Sequence, residues 1–145
     1  MSRSRRLFVV VVGCGQLGAY VANRLSSKGH SLVVVDNDEH AFEGLSAEYS
    51  GFRVEGDATE FRVLKEAKTD KADLVLAVTY GDNINLMVAQ VAKKVFNVKN
   101  VIVRVNEPTR EQVYRDLGID TICPNVVTGD AIALIADTIA FSMEG

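Results

Sequence analysis

Three glycines and one aspartate carry the most specific chemistry in this chain. Gly13, Gly15 and Gly18 sit in Gly13-Cys14-Gly15-Gln16-Leu17-Gly18, a G-x-G-x-x-G spacing that recognises a pyrophosphate through backbone rather than side chains. Gly13 permits the tight turn out of a strand, Gly15 lets the backbone approach the phosphates, and Gly18 lets the following helix pack close to the sheet. That helix aims its first amides and the positive end of its dipole at the ligand. Asp36 lies 18 residues beyond Gly18, where the fingerprint wants an acid. A carboxylate there accepts hydrogen bonds from both ribose hydroxyls and repels a 2′-phosphate. Asn37 follows it into the candidate site, although Asp36, Asn37 and Asp38 can equally open a turn or cap a helix.

Further candidates follow the third and fourth apolar runs. Asp57 in Gly56-Asp57-Ala58-Thr59 is suited to accept from an adenine amino group or a ribose, with Ala58 and Thr59 beside it. An Asp-led turn with Thr59 as a cap is the plainer alternative. Thr79 and Asn83 carry a hydroxyl and an amide that could reach phosphate or the distal half of a dinucleotide, while Asp82 and Asn83 are also good helix caps. Groups for catalysis are sparse. The two histidines, His30 and His40, fall at a helix end and on a second helix, and no Tyr has a Lys four residues later. Cys14 and Cys123 have no metal-ligand spacing, and Cys14 reads as a small filler of the glycine loop.

The elements that must position these groups alternate strand and helix, which predicts a doubly wound parallel sheet. Leu7 to Val12 is an apolar run without alternation, as expected of a central strand buried on both faces. A helix is predicted from Gln16 to Lys28, with Leu17, Val21 and Leu25 inward and Gly29 as its stop. Leu32 to Val35 is the second strand, Glu39 to Glu48 a helical stretch, and Phe52 to Glu55 an edge strand because it alternates apolar and charged. A short helix over Glu60–Ala67, a strand over Asp73–Val78, a long helix from Asp82 to about Phe96 and a strand over Asn100–Val105 follow. A helix opening at Pro108 and ending near Leu117, and a brief strand at Thr121–Cys123, complete the pattern. Two halves of three strands give the order 3-2-1-4-5-6, with the ligand at the carboxyl ends of strands one and four. The fold expected is a Rossmann-type α/β domain over residues 1–145, with residues 1–6 as a basic arm and 125–145 as a C-terminal crossover helix.

Bulk properties narrow the function. A chain of 145 residues buries roughly two-thirds of its unfolded surface. With 16 basic and 19 acidic residues the net charge is −3, and the basic cluster Arg3, Arg5, Arg6 reads as a solvated arm, so no nucleic-acid partner is expected. The N-terminus shows no signal-peptide pattern, and no window reads as a membrane span, so a cytoplasmic protein without direct membrane insertion is expected. The segment Gly129–Met143 is apolar almost all round, with Ile132, Leu134, Ile135, Ile139 and Phe141 among its residues. One face covers the sheet in this reading and the rest packs on another subunit, giving a homodimer or larger ring. The helix from Asp82 reads similarly, with Ile84, Met87, Val88, Val91 and Val95 along one face.

Taken together, the glycine loop, Val35-Asp36, Gly56-Asp57-Ala58-Thr59, Ala72-Asp73, Ala77-Val78-Thr79, Asp82-Asn83 and Cys123-Pro124 with its apolar helix resemble the TrkA-N, KTN or RCK domain family. These are cytosolic nucleotide-binding regulators of Trk and Ktr potassium uptake systems and of some potassium channels. The resemblance implies NAD(H) or an adenine nucleotide (AMP, ADP or ATP) as ligand, a potassium-translocating membrane subunit as partner, and a cytoplasmic location at the inner face of the membrane through that partner. It implies that the last helix crosses between subunits, Asp36 holds the adenosine ribose, Asp57 and Ala58 flank the adenine, and Thr79 lines the phosphate or nicotinamide side. Two departures stand out: position 16, often Arg in ATP-responsive members, is Gln16, and no C-terminal ligand-binding lobe is expected after the crossover helix.

Two other classes share parts of this pattern. An NAD-dependent oxidoreductase would use the same fingerprint but also needs a substrate site and an acid or base beside the nicotinamide. An S-adenosylmethionine-dependent methyltransferase also has a glycine loop and an acid ending its second strand, but wants further C-terminal strands where this chain offers a helix.

Overall fold

The computed structural model describes residues 5–144, which form a six-stranded, all-parallel sheet in the order β3-β2-β1-β4-β5-β6. The strands are β1 (Phe8–Val12), β2 (Ser31–Asp36), β3 (Phe52–Glu55), β4 (Leu74–Ala77), β5 (Asn100–Arg104) and β6 (Asp120–Ile122). The connecting helices are α1 (Gln16–Ser27), α2 (Phe61–Glu66), α3 (Asp82–Lys94) and α4 (Glu111–Asp116), and α5 (Pro124–Glu144) follows β6. The expected sheet order and the edge position of β3 are those observed. Of the basic arm, Arg3 lies outside the described residues, and Arg5 is exposed within reach of Asp73.

Register explains why the site residues converge. Val12 pairs with Val35 on one side and Ala77 on the other, and Asp36 pairs with Glu55. The carboxyl ends of β1, β2, β3 and β4 therefore lie level along one edge of the sheet. The apolar run of β1 splits by alternation: Val10 and Val12 join the core under α2, α3 and α4, and Val9 and Val11 join the core under α1. All four are buried, as the unbroken apolar sequence demands of a central strand.

Several expectations need correction. The stretch Glu39–Glu48 is a 3₁₀ turn over Glu39–Gly44, not a helix: Asp38 caps its start by accepting from the His40 N–H at 3.0 Å. Asn23 of α1 ends it, donating to the Gly44 carbonyl at 3.1 Å and accepting from the Ser46 N–H at 2.9 Å. Pro108–Arg110 is likewise a 3₁₀ turn leading into α4. The buried face of α3 is Asn85, Val88, Ala89 and Ala92, whereas Ile84, Met87 and Val95 are exposed. Small residues let this helix approach β4 and β5 closely, which turns its bulkier stripe outward.

The C-terminal helix starts at Pro124, one residue before the expected 125, because the missing N–H and fixed φ of proline suit the first helical position. No residue of α5 is buried. By length and composition it is also apolar enough to cross a membrane, contrary to the expectation that no segment reads as a span. The many alanines and small polar residues between its Ile and Leu positions hide that from a count of large apolar residues.

Candidate functional site

A cleft of about 340 Å³ opens at the carboxyl ends of the central strands, where the winding reverses between β1 and β4. Its lining includes Gly13 and Gly15 of the glycine loop, Asp36, Asn37 and Asp38 after β2, Gly56, Asp57 and Ala58 after β3, and Val78, Thr79 and Tyr80 after β4.

The glycine loop is built by steric exclusion. Gly13 has φ +104°, and a methyl on it would stand 2.9 Å from the Thr79 backbone nitrogen. A methyl on Gly18 would overlap the Gly13 carbonyl oxygen, so the loop and the first turn of α1 touch backbone to backbone. Gly15 is the N-cap of α1, and among the described residues no side chain caps this helix, which leaves its first amides facing the cleft mouth.

Asp36 fastens the loop. Its Oδ2 accepts from the Cys14 N–H at 2.8 Å, and its Oδ1 accepts from the Asp38 N–H at 2.9 Å. Gly13 donates its N–H to the Val35 carbonyl at 2.8 Å, so loop and strand tip are doubly joined. Cys14 is buried away from the cleft, and its thiol is pushed up to about 11 by burial first and by the Asp36 charge second. It is a neutral filler at physiological pH, as the sequence suggested.

Asp57 is exposed at the opposite end. Its Oδ1 accepts from Thr59 twice, from the hydroxyl at 2.6 Å and from the N–H at 2.9 Å. These bonds hold its carboxyl below the usual carboxylate range, the hydroxyl contributing more. Thr59 therefore braces Asp57 instead of capping α2. Ala58 is buried beside it.

Thr79 is held by Asn85, a residue that sequence reasoning missed. The Asn85 amide oxygen accepts from the Thr79 N–H at 2.9 Å and the Thr79 hydroxyl at 2.6 Å, and its nitrogen donates to the carbonyls of Thr79 at 2.9 Å and Arg104 at 3.1 Å. Asn85 is fully buried and satisfied, and it ties β4, α3 and β5 together at the cleft wall. A polar residue on the inward face of an otherwise apolar helix was its only signal. Asp82 accepts from Asn106, both N–H and side chain, and Asn83 is exposed outside the lining, so neither caps α3. Gln16 is exposed on the first turn of α1, and Leu17 packs against the core on that side. Of the sequence candidates, then, Gly13, Gly15, Asp36, Asn37, Asp57, Ala58 and Thr79 line the cleft; Cys14, Leu17, Gly18 and Thr59 lie behind it, and Gln16 and Asn83 are exposed outside the lining. Asp38, Ala41, Tyr80 and Ile84 also line it without having been site candidates.

Strand, glycine loop, uncapped helix and an acid at the tip of the neighbouring strand define a Rossmann-type fold with a cleft at the switch point. More narrowly, residues 9–124 match the family model of the TrkA-N domain, and the chain belongs to that family. It is 37% identical over 124 residues to the Trk system potassium uptake protein TrkA of Streptomyces coelicolor, a match covering 86% of this chain and 56% of that protein. The chain thus spans little more than half the length of this relative. Among solved structures, it resembles the Kef C-terminal domain of Shewanella denitrificans in its AMP-bound form, with a TM-score of 0.79 at 19% identity over 92% of this chain and 81% of the other. It also resembles the GsuK channel bound to NAD, with a TM-score of 0.67 at 20% identity over 84% of this chain and 22% of the other. At these identities the likeness is one of fold.

Proposed function

We propose that this chain is the nucleotide-binding part of a cytoplasmic regulator of potassium transport. It binds NAD(H) or an adenine nucleotide in the cleft and acts on a potassium-translocating membrane subunit at the inner face of the membrane. The observation that carries this reading is the Cys14–Asp36 clasp, which sets an uncapped helix N-terminus beside a ribose-seeking carboxylate at the switch point of the sheet. In this reading the adenine lies by Asp57 and Ala58, the ribose hydroxyls meet Asp36 and Asn37, and the phosphates meet the amides from Gly13 to Gly18. Thr79 lines the far side. Kinship with a Trk potassium uptake protein, and a fold shared with structures that hold AMP and NAD, support the ligand class and the transport role.

The regulatory output runs through α5. Its 21 residues extend about 30 Å with no buried residue, and so large an apolar surface calls for a cover. A second copy of the chain covers it better than lipid does, because Asp130 and Asp137 lie within the helix and a carboxylate at the centre of a membrane span costs about 2.5–3.5 kcal/mol. Ligand phosphates draw the loop and α1 together and shift the packing of neighbouring helices between copies. Such a shift is driven only by the difference in ligand affinity between the two arrangements.

Hydride transfer is the second reading, and it is less well supported. The groups lining the end of the cleft beyond the glycine loop are Thr79 and Tyr80, and among the described contacts neither has a Lys or His partner to activate it. Calorimetric titration with NAD, NADH, NADPH, ATP, ADP, AMP and S-adenosylmethionine tests the proposal. Micromolar binding of NADH or an adenine nucleotide with NADPH excluded supports it; binding of S-adenosylmethionine alone replaces it with a methyltransferase.

A further inference from the structure

The strand order measures out the cleft. From the Asp57 end of β3 across β2 to the glycine loop on β1 is two strand spacings, about 10 Å, the reach of one nucleoside and its first phosphate. Anything longer must continue past β1 over the ends of β4 and β5, and there the way is taken by Tyr80.

Its ring is seated on the glycine loop. A methyl on Gly15 would stand 3.0 Å from Tyr80 Cε2 and 3.3 Å from its hydroxyl oxygen, so the ring rests against the glycine whose bareness admits a pyrophosphate. Arg104, at the end of β5, backs the ring with its guanidinium 4.9 Å from the ring centroid. Arg104 is itself steadied by its Nε, which donates to Asn106 Oδ1 at 3.2 Å. Asn106 also donates to the Tyr80 carbonyl at 3.1 Å, and Asn85 fixes the preceding residue. The backbone under the ring is therefore held by hydrogen bonds while Tyr80 is 67% exposed, which leaves solvent for the ring to turn into. The cleft that remains, about 340 Å³, is near the lower end of the range of roughly 300–1,000 Å³ for small-molecule sites.

We propose that Tyr80 is the residue that sets ligand length. With its ring on Gly15 and against Arg104, the cleft takes a nucleoside monophosphate, and a dinucleotide is admitted only when the ring swings away. This rests on the nucleotide-binding reading above and adds to it the selectivity between a mononucleotide and a dinucleotide.

The test is calorimetric titration of AMP and of NAD into the full chain, in wild type, Tyr80→Phe and Tyr80→Ala, each checked for an unchanged far-UV spectrum. Wild type is expected to bind AMP more tightly than NAD. Tyr80→Ala is expected to tighten NAD by about tenfold while AMP stays within about twofold, and Tyr80→Phe, which keeps the ring, is expected to match wild type. Unchanged NAD affinity in Tyr80→Ala, equal gains for both ligands, or weakening of both would overturn the assignment and leave the nucleotide site standing. A wild-type chain that binds neither ligand would instead take away the nucleotide site itself, and that failure is visible before any variant is made.

Discussion

The Cys14 N–H donates to Asp36 Oδ2 at 2.8 Å, so the loop that follows β1 is hydrogen-bonded to the acid that ends β2. One carboxylate thus shapes the glycine loop and, in the function proposed above, also faces the ribose. Asp36→Ala is expected to lower folding stability by about 1–3 kcal/mol, since it strips a charged acceptor from two backbone N–H groups. The same change should weaken adenine-nucleotide binding by a comparable amount. Urea unfolding and calorimetry read the two effects separately, and an unaltered affinity would remove Asp36 from the ligand site.

Gly18→Ala sets a methyl into the Gly13 carbonyl, where backbone meets backbone and no side chain can yield. A loss of about 1–3 kcal/mol or more is expected. Gly129→Ala, where an added methyl meets nothing on a helix, is the control and should be neutral or slightly stabilising. Equal melting temperatures for the two variants would contradict the close packing of loop and helix.

Asn85→Ala leaves the Thr79 N–H and the Arg104 carbonyl without their buried partner. Each orphaned group costs about 1–3 kcal/mol, so the variant should lose several kcal/mol in denaturant unfolding. If it unfolded like wild type, water would have to reach a site that is closed in this structure.

At alkaline pH the thiol of Cys14 matters. Its folded value of about 11 lies above the ordinary 9.0, so the stability it lends is fully present below about pH 9 and is lost as pH rises through 11. Cys14→Ala should therefore flatten the fall in stability between about pH 9 and about pH 11. A residual decline should persist from Tyr49, whose hydroxyl is also pushed up, chiefly by burial. Parallel pH profiles for the two proteins would place the thiol in water.

On α5, Ile132, Ile135 and Ile139 recur at helical spacing along one stripe. In light scattering at micromolar protein, wild type should have the mass of a dimer or larger ring, and the pair Ile135→Lys and Ile139→Lys should reduce it to one chain with the sheet spectrum intact. A monomeric wild type would sink the oligomer.

The backbone of the fold was legible because each strand of the central sheet announces itself. Leu7–Val12 and Leu32–Val35 are continuous apolar runs, and the alternation in Phe52–Glu55 marked the edge. The glycine loop and Asp36 were legible because the close approach of backbone at Gly13 and Gly18, and the acceptor that the Cys14 N–H requires, tolerate few residue types. Asn85 was not, since its role depends on two carbonyls, one just past β4 and one at the end of β5, that only the folded sheet brings within reach. Nor was Tyr80, because a ring resting on Gly15 is a contact between residues 65 positions apart (80 − 15) with no periodic trace. The turn at Glu39–Gly44 was misread for a similar reason: its helical composition is local, and the Asn23 side chain that ends it comes from another element.

Asn85 speaks almost wholly to main chain. Apart from the Thr79 hydroxyl, its partners are an N–H and two carbonyls, groups that every residue except proline supplies in full. The lip of the cleft can therefore change its side chains over evolutionary time without losing its shape. If Tyr80 sets ligand length as proposed, a lineage that exchanges it would alter what the cleft admits while keeping the wall around it, so a new ligand range would be one substitution away from an unaltered scaffold.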